Sequence, residues 1–398
     1  MIIKGKYNDA KVFTENIEEQ AIEQIQTLCN QEFTKDTKIR IMPDVHAGKG
    51  CTIGFAGDLG EFVIPSIIGV DIGCGVLVVK LGNVDIDGEK VDKIIRKNIP
   101  SGKNVHMEEN HNFDDKLNKI KILNELVDIS RIRKSIGSLG GGNHFIEINT
   151  DTLGNKYLLI HTGSRNLGNQ IAQYYQNIAI KYQKDKKKNE RQELIQEYKN
   201  NNKENEINSI LQEFDMQLLP NDLCYLENED RENYLNDLLI CQEYANFNRE
   251  TIANNILIEL TDKNLDNYEY FHTPHNYIDF RRNIIRKGSI SSEENEVVII
   301  PINMRDGALL CKGKSNSDWN YSAPHGAGRL YSRAKAREMF SLDEFEQSMK
   351  NIYTNCISKN TIDECPMAYK NIDEIIENIK DTVEIIDIIK PIYNFKTK

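Results

Sequence analysis

Long apolar runs are missing from this chain. No stretch approaches the ~20 consecutive apolar residues of a membrane-spanning helix, so a membrane location is not expected. The first eleven residues lack a basic region followed by an apolar one, the mark of a secretory leader. Cysteine is scarce. The eight in 398 residues stand at 29, 51, 74, 224, 241, 311, 356 and 365, with no CxxC pair. That usage fits a reducing, cytoplasmic setting rather than a disulfide framework. Basic residues are also in deficit: 50 Lys and Arg face 61 Asp and Glu, for a net charge of −11. This argues against a broad basic face for non-specific nucleic-acid binding, while leaving room for a local basic groove. Internal repeats and long linkers are absent too.

What is present reads as an α+β chain. Short apolar runs bounded by Gly, Pro or Asp predict strands over residues 39–42, 62–68 and 75–80. Helical patterns cover 91–97 and 117–127. Residues 145–148 and 157–160 read as buried strands, and 169–254 as a long helical stretch. Its charge-rich middle, 181–206, reads as a solvated helical hairpin. Strands return over 297–302 and 307–312, and helices are predicted over 332–340 and 373–389. Between these elements lie five glycine-rich polar segments: 42–55, 69–75, 138–147, 161–168 and 324–329. Glycine lets backbone approach a ligand closely, and loops on a rigid scaffold commonly carry chemistry.

Histidine is the informative residue. Only eight occur, and six fall in "PDVHAGKG", "GGGNHFIE", "IHTGSRNLG", "HTPHNY" and "APHGAGR". The other two, His106 and His111, lie in a polar stretch and read as surface residues. In "VDIGCGV", Asp71 and Cys74 stand three apart in a turn, where both side chains can face one point. Alone, this motif reads better as a turn-forming Asp beside an inert buried Cys. Beside His144, His161 and His275 it reads as a metal centre, because a cation resolves the repulsion between carboxylate and thiolate. Five donors exceed one tetrahedral site, and two metals sharing a thiolate would use them all. Thiolate softness alone points to zinc. "SAPHGAGRLYSR" offers open backbone amides at Gly326 and Gly328 with Arg329 and Arg333 nearby, an arrangement that can cradle phosphate. His325 at its head is either a further ligand or a covalent nucleophile.

The combination of "MPDVHAGKG", "GVDIGCGV", "SLGGGNHFIE", "HTGSRNLG", "HN" at 275 and "HGAGRLYSR" resembles the RtcB family of RNA ligases. "PMAYKNIDEII" and "KPIYNFK" extend the resemblance almost to the end. The resemblance implies two Mn²⁺ ions held by Asp71, Cys74, His144, His161 and His275, with Cys74 bridging. It also implies GTP, with His325 carrying GMP covalently. RNA ends bearing a 3′-phosphate or 2′,3′-cyclic phosphate would be joined to 5′-hydroxyl ends, in repair or tRNA splicing. A helper such as an archease is a possible partner. The matching nucleotide positions are Asn143, Phe145, Glu147, Asn303, Ala327, Gly328, Tyr369 and Lys396. Glu147 suits guanine, since a carboxylate accepts from its N1 and N2 donors. Arg165, Asn248 and Arg249 are the positions expected to meet RNA phosphates.

The chain departs from the family pattern at Asn303, where serine is usual, and over 305–319. Residues 175–240 match the family poorly. The expected architecture is one catalytic domain over 1–398, with antiparallel sheets, outer helices and a helical insertion over 172–250. Two other functions fit the same residues: a metal-dependent phosphoesterase that opens cyclic phosphates without ligation, and a non-catalytic RNA-binding relative. Retention of every proposed ligand and of His325 counts against the second.

Overall fold

Fifteen strands in three sheets and a set of helices make up the computed structural model, which describes residues 1–215 and 219–397. The first sheet holds β1 (Ile2–Lys4), β2 (Asp9–Val12), β3 (Ile39–His46), β4 (Ile53–Asp58), β9 (Asn276–Asp279) and β10 (Ile284–Lys287), in the order β1-β2-β3-β4-β10-β9. The largest holds β5 (Gly75–Gly82), β6 (Phe145–Thr150), β7 (Lys156–Thr162), β8 (Glu269–Pro274), β12 (Val297–Asn303), β13 (Gly307–Gly313) and β15 (Val383–Lys396), in the order β12-β13-β15-β6-β7-β5-β8. A two-stranded ribbon pairs β11 (Ser289–Ser291) with β14 (Ser322–Pro324). All pairings are antiparallel except β2 with β3.

Alternation along the strands explains the layers, because successive side chains point to opposite faces. Leu77, Val79, Ile146, Ile148, Leu158 and Ile160 face outward against Val91, Ile94, Ile252 and Ile256 of the helices Gly88–Asn98 and Asn228–Thr261. Val76, Val78, Phe145 and Leu159 face inward and meet Ile299, Leu310 and Ile389 from the other half of the same sheet. The sheet therefore curls. Its two edge strands approach until the Thr273 hydroxyl accepts from the Ile299 N–H at 3.3 Å.

Three expected elements came out differently. Residues 62–68 do not form a strand: Pro65–Ile68 is one helical turn. Proline at its first position has no N–H for a ladder and a φ already suited to a helix. Residues 117–127 do not form one helix. Only the turns Asp114–Leu117 and Leu123–Glu125 are helical. The buried carboxylate of Asp237 accepts from the Lys121 and Ile122 N–H groups at 2.7 and 3.3 Å, which takes those donors out of any helical ladder. Residues 373–389 divide into the helix Ile372–Ile379 and the start of β15. The β-branched run Val383, Ile385, Ile386, Ile388 and Ile389 suits a strand, and partners on both sides decide the matter.

The long helical stretch is two helices, Arg165–Asn200 and Asn228–Thr261, with the shorter Ile207–Asp215 between them. That expectation also runs through 216–218, which lie outside the described residues. The first helix buries side chains only as far as Gln183, and its charge-rich remainder stands off the body. The second buries Tyr234, Leu238, Cys241, Ala245, Asn248, Ile252 and Ile256, a helical stripe along most of its length. The part of the 172–250 region that lies in this second helix therefore packs into the core.

Candidate active site

Register alone assembles the site. Across the largest sheet, Lys396 pairs with Phe145, Phe145 with His161, His161 with Val76, and Gly75 with Pro274. The ends of four adjacent strands therefore bring His144 (before β6), His161 (in β7), Cys74 (before β5) and His275 (after β8) into one row. Period-two alternation then puts Phe145, Glu147, His161, Asn394 and Lys396 on the inward face of the curl.

The donor atoms converge. Asp71 Oδ2 lies 2.9 Å from His144 Nε2. Cys74 Sγ lies 3.6 Å from His144 Nε2 and 3.2 Å from His161 Nε2. His161 Nε2 lies 3.4 Å from His275 Nε2. Backbone carbonyls set the tautomers. His144 Nδ1 donates to the Leu139 carbonyl at 2.9 Å, and His161 Nδ1 to that of Asn143 at 3.1 Å. Their Nε2 atoms therefore present lone pairs toward the Asp71 carboxylate, the Cys74 thiol and, for His161, the His275 Nε2. Burial and the Asp71 charge push the Cys74 thiol up. Burial, with neighbouring histidines, drives His161 and His275 well down. Neutral imidazoles and a thiol aimed at one point lack the protons that would reconcile them. This donor set fits a metal cation, which keeps a coordinated thiol deprotonated.

The turn bearing Asp71 and Cys74 requires glycine. Gly73 adopts φ +73°, and a Cβ there would meet the Ala245 Cβ and the Gln242 Cα at 2.9 Å. The loop is thereby pressed against the helix Asn228–Thr261.

His325 stands apart from the donors yet next to them, its ring centroid 4.8 Å from that of His275. Its Nδ1 donates to Asp44 Oδ2 at 2.6 Å, leaving Nε2 with a free lone pair. Asp44 is fully buried and sits in β3 just after Pro43, where the β3–β4 register breaks between Ile41 and His46. Proline cannot donate to a ladder, and the irregular stretch lets Asp44 reach His325. Sequence reasoning missed Asp44; the signal was its place in "PDVH", two residues before a histidine. His46 was noticed there without a role. Its Nδ1 donates to the Asp44 carbonyl at 3.0 Å, and the ring lines the same cavity.

That cavity is about 280 Å³ in volume, near the lower end for small-molecule sites. All eight expected nucleotide positions line it: Asn143, Phe145, Glu147, Asn303, Ala327, Gly328, Tyr369 and Lys396. His161, His275 and His325 line it as well. Burial raises the Glu147 carboxyl to about 7, against the hydrogen bond it accepts from the Asn394 amide at 2.6 Å. Asn303 is engaged internally: it accepts from the N–H groups of Arg305 and Asp306 and donates to the Asp306 carboxylate at 2.8 Å.

Another wall is ionic. Glu364, which sequence reasoning missed, is 2% exposed. Its carboxylate accepts from Lys396 and Tyr369, each at 2.6 Å, and pairs with Arg333 at 3.0 Å and Arg329 at 3.4 Å. Burial opposes its ionisation, but Lys396 and Arg333 hold it below the usual carboxylate range. Buried Asp363 pairs with Arg333 and Arg337. The adjacent "DE" in "IDECPMAYK" carried no pattern to flag it.

The sequence model of the family described as "tRNA-splicing ligase RtcB" matches residues 24–129 and 125–397. The chain belongs to the RtcB family. Among curated RtcB proteins, the chain is 29% identical to the "RNA-splicing ligase RtcB" of Escherichia coli (strain K12), over 87% of each chain. It is 26% identical to the "tRNA-splicing ligase RtcB" of Methanococcus maripaludis, over 94% of this chain and 90% of that one. The "tRNA-splicing ligase RtcB" of Nanoarchaeum equitans is 25% identical over 84% and 83%. No helix among the described residues is long and apolar enough to cross a membrane.

The structure corrects one expectation drawn from the RtcB resemblance. Asn248 and Arg249 are fully buried and cannot meet RNA phosphates. Their side chains hydrogen-bond to the protein's own loops instead. Arg165 is different. It opens the helix Arg165–Asn200 at φ +57°, is half-buried, and has no partner for its Nε among the described residues.

Proposed function

We propose that the protein is an RNA ligase of the RtcB type, joining RNA 3′-phosphate or 2′,3′-cyclic phosphate ends to 5′-hydroxyl ends with GTP and Mn²⁺. One observation carries the reading. A histidine with its Nδ1 tied to a buried carboxylate presents its other nitrogen beside a converged Asp–Cys–His₃ donor set, in a cavity lined by every expected nucleotide position.

In this reading His325 Nε2 attacks the α-phosphorus of GTP. A P–N bond forms, the α–β bridging P–O bond breaks, and pyrophosphate leaves. Asp44 accepts from Nδ1 and stabilises the positive charge that the attacking ring acquires. An oxygen of the RNA 3′-phosphate then attacks the same phosphorus, breaking the P–N bond and leaving GMP on the RNA end. Attack by the 5′-hydroxyl oxygen on the RNA phosphorus forms the phosphodiester and releases GMP. Asp71, Cys74, His144, His161 and His275 would hold two Mn²⁺ ions with Cys74 shared. The ions would neutralise phosphate charge and activate the attacking oxygens, including water that opens a cyclic end. The Arg329 and Arg333 side chains face the anionic groups. Glu147 accepts from guanine N1 and N2, and Tyr369 and Lys396 close over the base.

Incubation with labelled GTP and Mn²⁺ tests this. An acid-labile, hydroxylamine-resistant protein–GMP adduct is expected in the native chain and not in His325→Ala. Absence of the adduct in the native chain would overturn the ligase reading. Opening of cyclic phosphates without an adduct would establish the phosphoesterase alternative. We place the protein in the cytoplasm, in RNA repair or tRNA splicing. Assaying ligation with and without an archease decides whether it needs that helper.

A further inference from the structure

We infer that Asn248 and Arg249 are positioning residues that pin the three metal-donor loops in register from behind; the inference rests on the metal reading above. The two are consecutive on the helix Asn228–Thr261, so their side chains diverge by roughly 100°. Asn248 Oδ1 accepts from the N–H groups of Gly137 and Ser138 at 2.8 and 3.2 Å. Its Nδ2 donates to the Ser138 and Gly163 carbonyls, both at 3.2 Å. Arg249 donates through one terminal nitrogen to the carbonyls of Gly73 at 2.9 Å and Thr162 at 2.6 Å.

Each of these backbone groups neighbours a donor or its support. Gly73 precedes Cys74. Thr162 and Gly163 follow His161, and each residue of the pair takes one of their carbonyls. Ser138 precedes Leu139, whose carbonyl orients the His144 ring. The rest of the guanidinium is also held. Its Nε donates to His272 Nδ1 at 3.3 Å and its other terminal nitrogen to the side-chain Oδ1 of Asn246. His272 in turn meets Glu250 at 3.0 Å.

The energetics point away from mere packing. A buried cation is costly unless paired. Arg249 is fully buried, yet among the described residues no carboxylate lies within ion-pairing distance of it. Arg286, equally buried, has the Asp279 carboxylate at 3.0 Å. Arg249 instead spends its donors on carbonyls beside metal donors, which a lysine's single ammonium cannot reproduce as a planar fork.

The test titrates the metal-free full chain with Co²⁺, following the thiolate-to-cobalt charge-transfer absorption, with melting temperature measured in parallel. Arg249→Lys and Asn248→Ser are expected to bind Co²⁺ about 10–100-fold more weakly than the native chain, with a weakened charge-transfer band. Arg286→Lys serves as the control: it is expected to lower the melting temperature and leave Co²⁺ affinity unchanged. Native-like Co²⁺ binding in Arg249→Lys and Asn248→Ser overturns the inference. So does a loss of affinity matched by Arg286→Lys at equal loss of stability. If Arg249→Lys does not fold, Asn248→Ser and Asn246→Ala decide by the same criteria. A native chain that binds no Co²⁺ refutes the metal reading itself, and is distinguished by failing before any substitution is made.

Discussion

The two walls of the cavity are built on opposite principles. The donor wall is made of strand ends, and its imidazoles are oriented by backbone carbonyls. The tail wall is made of long side chains, Arg329, Arg333, Tyr369 and Lys396, gathered around the Glu364 carboxylate. Backbone clamps give fixed geometry, as a metal centre requires. Ion pairs give charge whose partners can be exchanged when phosphates arrive, as a polyanionic substrate requires. His325 lies at the seam, tied by Asp44 to the first sheet and with its ring tilted beside that of His275 on the donor wall.

The comparison can be broken most severely at Cys74 and His325. Cys74→Ala is expected to abolish both metal binding and the GMP adduct. His325→Ala should abolish the adduct, a loss on the order of 10⁴-fold or more, while Mn²⁺ binding by calorimetry stays native. Loss of metal in His325→Ala would place that histidine among the ligands. Next in size is Asp44→Asn. Its amide would favour the wrong imidazole tautomer, so the single-turnover guanylation rate is expected to fall by roughly 10³–10⁴-fold, again with metal retained.

Glu364→Gln addresses the other wall. Losing the carboxylate that holds Tyr369 and Lys396 in place should raise KM for GTP about tenfold, or ~1.4 kcal/mol, without changing Mn²⁺ affinity. A change in metal affinity would show that the walls are coupled. The Glu147 carboxyl sharpens the picture through pH. Its pKa is raised from 4.5 to about 7 in the folded chain. A raised carboxyl pKa means that the folded protein holds a proton which the unfolded chain has lost. Folding stability therefore declines as pH climbs from about 4.5 toward 7, and Glu147→Gln is expected to remove that slope. GTP affinity has the opposite sense, rising with pH up to about 7 as the accepting carboxylate forms, and the same variant should flatten it. The smallest effect belongs to the projecting helices. Lys203→Ala breaks an exposed pair with Glu206 at 3.9 Å, and should shift thermal stability by less than ~0.5 kcal/mol with ligation untouched.

Legibility followed locality. Asp71, Cys74, His144, His161, His275 and His325 were readable because each sits in a short glycine-rich motif whose spacing is itself informative. Asp44 and Glu364 were not. Each acts on residues far along the chain, Asp44 on His325 and Glu364 on Lys396. Asn248 and Arg249 were expected to meet RNA phosphates; only their burial revealed that they face inward. Residues 373–389 had helical composition in part, but the neighbouring strands β13 and β6 turned the second half into the strand that delivers Lys396.

By itself, then, the sequence determined the donor types, the alternation that separates the two faces of the sheet, and the proline that interrupts β3 beside Asp44. Those are properties of local covalent chemistry and side-chain period. Only the tertiary structure decided which strand ends lie side by side, which carboxylate orients His325, and which buried helix holds the donor loops. Those depend on register and packing between segments distant along the chain, where no local pattern carries the information.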